Sequence, residues 1–123
     1  MTAIDGPALL ARIYIGEADR HDGAPLYEAI VRLLRDRGIA GATVFRGIEG
    51  FGANAHLHTS RILRLGEDLP ILIEVVDRVD RLRAVLPELD ALVQDGLVTL
   101  ERVEVVAWRG SRQHDVNEPP MSG

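Results

Sequence analysis

A chain of 123 residues, 46% hydrophobic and 27% charged, holds one domain's material and can bury roughly two-thirds of the surface its unfolded form exposes. It has no cysteine, and all 14 of its Lys+Arg residues are arginine, which excludes a disulfide framework, Cys-ligated metal, a thiol nucleophile, a Walker phosphate loop and a Schiff-base lysine. A net charge of −5 argues against a duplex nucleic-acid binder, which needs a basic face, so any anion held here is gripped by arginines or backbone N–H groups. The missing lysine has a plainer reading too, a genome biased toward arginine codons. The Met1-Thr-Ala-Ile-Asp5 start lacks a signal-peptide pattern and no apolar run reaches membrane-spanning length, so a soluble cytoplasmic protein is expected.

Leu9–Gly16 alternates with a period of two and predicts a strand with apolar residues on both faces. A polar turn, Glu17–Gly23, follows. Pro25 stands where a helix's first turn tolerates it, and Leu26, Ala29, Ile30, Leu33 and Leu34 form a helical stripe. Glu28–Arg32 and Arg32–Asp36 have ion-pair spacing on its wet side, and Gly38 is a left-handed cap closed by Ile39. Ala42–Ile48 is a second strand, with Val44 and Ile48 on one face and Thr43 and Phe45 on the other, and Gly47–Asn54 is loop-like. His56–Leu65 fits either a hairpin arm or a short helix. Pro70 interrupts pairing, and Ile71–Val76 is an apolar strand with Glu74 at its middle.

Arg78–Gly96 carries a second helical stripe, Leu82, Val85, Leu86, Leu89, Leu92 and Val93, with a bend expected near Arg83–Pro87 and a cap at Gly96. Leu97–Trp108 is strand-like with a change of phase, for which a bulge at Glu101-Arg102 is the expected cause. The organisation predicted is a flexible 1–7, a folded domain over 8–109 and a disordered tail over 110–123. The order strand, helix, strand, strand, helix, strand is the split pattern of an α+β, ferredoxin-like βαββαβ fold. Both helices then cover one sheet face, while Leu10, Tyr14, Phe45, Leu72 and Val76 give the other face apolar character. Self-association through that face is the economical outcome, and scattered surface apolar residues are the bland one.

Three constellations are candidates for chemistry. Arg46-Gly47-Ile-Glu-Gly50-Phe-Gly52 can turn backbone N–H groups toward an anion, and Arg46, Arg61 and Arg64 can bracket a phosphate; a flexible hairpin tip is the simpler alternative. Glu17, Asp19, Arg20, His21 and Asp22 end the first strand, where Asp19, His21 and Asp22 suit a metal or acid–base work, or merely a solvated turn. His56 and His58 share one face of an extended strand and suit zinc, but lack a third ligand nearby, or they flank a polar loop. A metal-assisted enzyme would draw on Asp19, His21, His56 and His58; no serine sits in a nucleophile elbow. A ligand-free interaction scaffold is the third reading.

The segments Arg12-Ile-Tyr-Ile-Gly-Glu-Ala-Asp-Arg20, Pro25-Leu-Tyr-Glu-Ala-Ile30, Gly41-Ala-Thr-Val-Phe-Arg-Gly-Ile-Glu-Gly-Phe-Gly52 and Glu67-Asp-Leu-Pro-Ile-Leu-Ile-Glu-Val-Val-Asp77 resemble the small bacterial and archaeal proteins grouped as domain of unknown function 190. That family is similar to the nitrogen-regulatory PII signalling proteins. The resemblance implies a PII-like homotrimer with sheets turned inward and a mobile T-loop at about Gly47–Ser60. It implies an adenine nucleotide between subunits and a regulatory, non-enzymatic role. The candidate ligand residues are then Arg46, Gly47, Gly50, Gly52, Arg61 and Arg64, with Glu17, Asp19, Arg20 and His21 lining the cleft. Arg109-Gly110 loosely resembles the basic C-terminal segment of PII proteins. The chain departs from them in having no phosphate lysine, no T-loop tyrosine (Tyr14 and Tyr27 lie elsewhere) and only Asp95-Gly96 in place of a glycine-rich stretch before the last strand. The association of some family members with a small fluoride channel implies a membrane channel or transporter as partner.

Overall fold

The structure is a computed structural model that describes residues 4, 6–52 and 68–110. His56, His58, Arg61, Arg64, the 56–65 segment, much of the expected T-loop and the tail beyond 110 lie outside the described residues.

The elements are β1 (Gly6–Gly16), β2 (Arg20–His21), β3 (Ala24–Pro25), α1 (Leu26–Asp36), β4 (Ala42–Arg46), β5 (Pro70–Arg78), α2 (Val79–Leu92) and β6 (Leu97–Val105). The four long strands form one antiparallel sheet in the order β4-β5-β1-β6, which with two helices is the α+β ferredoxin-like arrangement expected from the sequence. Leu9, Ala11, Ile13 and Ile15 of β1 and Ile71, Ile73 and Val75 of β5 project to one face, against Leu26, Ile30 and Leu34 of α1 and Leu82, Val85 and Leu89 of α2. Burying each of the larger side chains contributes about 1.5–3 kcal/mol, so this one layer supplies most of the favourable free energy of the described fold.

Local chemistry explains the boundaries. Asp22 and Gly23 both have positive φ, 50° and 81°, the mirror-image turn that matches strand twist, so the expected polar turn contains a small β2–β3 hairpin. Gly38 (φ 78°) donates to the Arg35 carbonyl at 3.1 Å and Ile39 to Leu34 at 3.0 Å, with the Ile39 side chain buried; the expected cap forms in full.

Six expectations are corrected. β1 begins at Gly6 rather than Leu9, and Ile4 ahead of it is buried. β4 ends at Arg46, because Gly47 turns its N–H to the Pro70 carbonyl (2.7 Å) and Ile48 stands in solvent. Pro70 begins β5 instead of interrupting pairing, a strand-start position at which the missing N–H is tolerated. Glu28–Arg32 and Arg32–Asp36 form no ion pair; Arg37 instead reaches Glu88 of α2, at 2.8 and 2.5 Å. Gly96 does not cap α2, whose end is closed by Val93 N–H on Leu89; a side chain at Gly96 would collide with the Tyr14 carbonyl, so glycine there admits β1's backbone. No bulge divides β6, which pairs with β1 without a break from Leu97 to Val105.

The phase change in β6 has another cause. Val98 and Leu100 face the helices, but Arg102 and Glu104 on that face are exposed, so the helix layer stops short and the apolar residues move to Val103 and Val105 opposite. Pro87 lies inside α2, which continues to Leu92. Both Pro87 and Arg83, whose carbonyl loses its partner, are on the wet side, where water can serve that carbonyl.

Asp77, at the end of β5, is fully buried. Its carboxylate accepts from Ala40 N–H (3.0 Å) and Arg78 N–H (2.7 Å), with Arg81 at 3.9 Å, and so joins the α1–β4 connection to the start of α2. Asp77→Ala strands the Ala40 N–H and is expected to lower unfolding free energy by about 1–3 kcal/mol in urea titrations. The Arg37 hydrogen bond holds the Glu88 carboxyl below its ordinary 4.5. That pair's contribution is therefore complete above 4.5 and is lost as pH falls through the lower folded value. Unfolding curves of Arg37→Gln and the parent chain should differ slightly at pH 7 and converge in acid.

Candidate functional site

Two features on the helix-free side and its rim stand out. The first is the open sheet face. Cross-strand register places Phe45, Leu72, Tyr14 and Leu97 in one row spanning all four strands, with Phe45 46%, Tyr14 39% and Leu97 54% exposed. The next row is polar: Thr43, Glu74, Arg12 and Thr99. Arg12 bridges to Glu74 at 3.1 Å and diagonally to Glu101 at 3.0 Å, tying β5, β1 and β6 together. The hydrogen bonds to Glu74 and Glu101 hold the Arg12 guanidinium more firmly in its charged form. Beyond them Val76 and Leu10 resume the apolar surface.

The second feature is the base of the β4–β5 connection. Glu17 N–H donates to the Leu69 carbonyl (2.8 Å) and Ala18 N–H to Asp68 Oδ1 (3.1 Å), so the end of β1 is fixed against the residues leading into β5. Arg46, the last residue of β4, directs Nε (3.0 Å) and Nη2 (2.5 Å) to Glu17 Oε2. Glu17, with a smaller contribution from Tyr27, raises the Arg46 pKa. The chain then crosses the Pro70 ring. A Cβ at Gly47 would lie 2.8 Å from Pro70 Cγ, and one at Gly50 3.2 Å. Two of the three glycines are thus needed for clearance over proline, whereas Gly52 is in open space. Ile48 (91%) and Phe51 (85%) project into solvent between them.

Of the residues singled out by sequence, the structure brings Glu17, Arg46, Gly47 and Gly50 together. Asp19 is occupied locally, accepting Gly16 N–H at 3.0 Å. Arg20 turns to the Gly23 carbonyl (3.0 Å) and His21 lies 3.4 Å from Asp22, so both engage their own hairpin. Among the described residues no three His, Asp or Glu side chains converge as a metal site. Arg109 is exposed beyond β6. Sequence reasoning missed Asp68 and Pro70, the residues on which the loop base rests. The available signal was the Asp68-Leu-Pro70 run ahead of an apolar strand. No helix among the described residues is long and apolar enough to cross a membrane.

A four-stranded antiparallel sheet with both helices on one face and a glycine-bearing connection leaving the edge strand β4 defines a PII-like ferredoxin fold. Two solved structures of CPII from Thiomonas intermedia K12 share it. One, bound to ADP and bicarbonate, is 20% identical, with 80% of this chain and 88% of that one covered and a TM-score of 0.52. The other, bound to ADP, AMP and acetate, is 18% identical over 88% and 93%, also at 0.52. Residues 8–105 match DUF190, described as Uncharacterized ACR, and the chain belongs to that family. A UPF0166 protein of Aquifex aeolicus is 34% identical over 97 residues, 79% of this chain and 91% of that protein. One of Methanocaldococcus jannaschii is 36% identical over 94 residues, 76% and 86%.

Gly47→Ala forces the new methyl group against a rigid proline ring and is expected to cost about 1–3 kcal/mol in thermal or chemical denaturation, whereas Gly52→Ala stays within about 0.5 kcal/mol.

Proposed function

We propose that this chain is a PII-like regulatory module, a homotrimer joined through its open sheet faces, that binds an adenine nucleotide between subunits at the loop base. The observation that carries the reading is the position of Arg46 and Gly47. They lie beside Phe45, one end of the apolar row, so a second copy seated on the open face reaches the rim where an exposed guanidinium and a glycine-lined turn begin the loop. The adenine nucleotides in the CPII structures support the ligand class, and the shared fold supports the assembly. Without lysine, the phosphates fall to arginine and backbone N–H groups; Arg46, Arg61 and Arg64 are the assigned side chains and Gly50 and Gly52 the assigned backbone donors, the Gly47 N–H being held by the Pro70 carbonyl. Glu17, Asp19, Arg20 and His21 line the cleft, and Arg109-Gly110 adds a basic segment. Nucleotide binding alters the loop's fit to a membrane channel or transporter, which requires unequal affinity for its two states. The role is regulatory rather than enzymatic, in the cytoplasm.

Calorimetry against AMP, ADP, ATP and cyclic nucleotides tests the ligand; absence of binding below ~1 mM, a weak affinity by any measure, overturns it. Light scattering tests the assembly: the parent chain should give three times the monomer mass, and Leu72→Asp, which inserts a charge in the apolar row, should give the monomer. A monomeric parent chain at tens of micromolar rejects the trimer.

A further inference from the structure

Among the described residues three arginine–carboxylate pairs involve two guanidinium nitrogens, and one differs in kind. Arg37 places Nε on Glu88 Oε1 and Nη2 on Oε2, and Arg78 places Nε on Asp80 Oδ1 and Nη2 on Oδ2; both are fork-on-fork, with each oxygen receiving a donor. Arg46 places both nitrogens on Glu17 Oε2. The other oxygen, Oε1, is buried and has no hydrogen-bond partner among the described residues. A buried acceptor without a donor is a standing cost, so this is a pair held short of its best geometry. The asymmetry extends to exposure. The Glu17 side chain is 20% exposed, its backbone tied to Leu69, whereas Arg46 is 57% exposed at the start of the loop. The carboxylate is the more buried member and the guanidinium the more exposed one, so an anion arriving from solvent meets Arg46 first.

We propose that Glu17 is an internal competitor for Arg46: it occupies the Nε–Nη2 edge of the guanidinium in the ligand-free chain, and an anionic ligand binds by taking that edge away. This rests on the reading that the loop base receives a phosphate. Glu17 opposes the anion in two ways, by filling the edge best suited to a bidentate grip and by placing a negative charge beside the incoming one. A ligand must outbid one carboxylate, so the site favours a phosphoanhydride over a monophosphate. Release of Arg46 also frees the residue that leads into Gly47, which couples occupancy of the site to the start of the loop.

The test is calorimetry with ADP and inorganic pyrophosphate on the parent chain, Glu17→Gln, Arg46→Gln and the double variant, each checked for folding by circular dichroism. Glu17→Gln keeps the shape and removes the charge, and should bind about three- to tenfold more tightly, the size of a partly exposed ion pair. Arg46→Gln should bind at least about tenfold more weakly, and adding Glu17→Gln to it should change little. Glu17→Asp, shorter by one methylene, should fall between the parent chain and Glu17→Gln, and serves if the glutamine variant does not fold. If the parent chain binds ADP and Glu17→Gln binds it equally or more weakly, competition is overturned and nucleotide binding stands. Equal tightening in the presence and absence of Arg46 also overturns it, since Glu17 then acts without Arg46. If neither the parent chain nor Glu17→Gln binds either anion, both readings fall.

Discussion

β1 and β5 pair in unbroken register from Ala8↔Arg78 to Gly16↔Pro70, and the rest of the structure hangs on what those two strands do with their alternate side chains. One set enters the only helix layer among the described residues. The other set meets no layer among the described residues, and it is not uniformly apolar. Arg12 and Glu74 lie in its middle, where neither can be withdrawn into the core, and Glu101 reaches across from β6 to complete their pairing. An exposed ion pair adds little to stability. What it does here is tie β5, β1 and β6 together across the open face and place a polar row between two apolar ones.

The same pairing delivers the candidate site. The far end of the β1–β5 ladder brings Gly16, Glu17, Asp68 and Pro70 together, and Gly47 bonds to that platform through the Pro70 carbonyl. The loop base is therefore supported by the two central strands although it leaves from β4, an edge strand of five residues. A guanidinium stays charged at any physiological pH. Whatever changes the state of Arg46 must therefore act through its partners, not through its own protonation.

The fold was legible because its determinants are local. Alternation in β1 and β5, helical stripes in α1 and α2, and Gly38 with Ile39 are each written within a few residues. The misreadings share one cause, a residue whose role is set by a distant partner. Gly96 was read as a cap because it follows a helix, but the Tyr14 carbonyl requires it. The phase change in β6 suggested a bulge, but it records where the helix layer ends. Asp77 and Pro70 act on Ala40 and on Gly47. At the site, Arg46 and the glycines were visible as types. The glycines were read as anion-binding, and the clearance over Pro70 that Gly47 and Gly50 provide was invisible without the β4–β5 pairing.

The two outer strands have their own logic. β4 is short and ends at a glycine that turns away, and β6 carries Glu101, Arg102 and Glu104 along its second half. Brevity and charge are the usual means by which a sheet refuses an added strand. Edge-to-edge growth, which has no natural stopping point, is thereby discouraged on both sides. What remains for association is face-to-face contact, the geometry that the proposed trimer uses and the one in which closure into a small ring can limit growth.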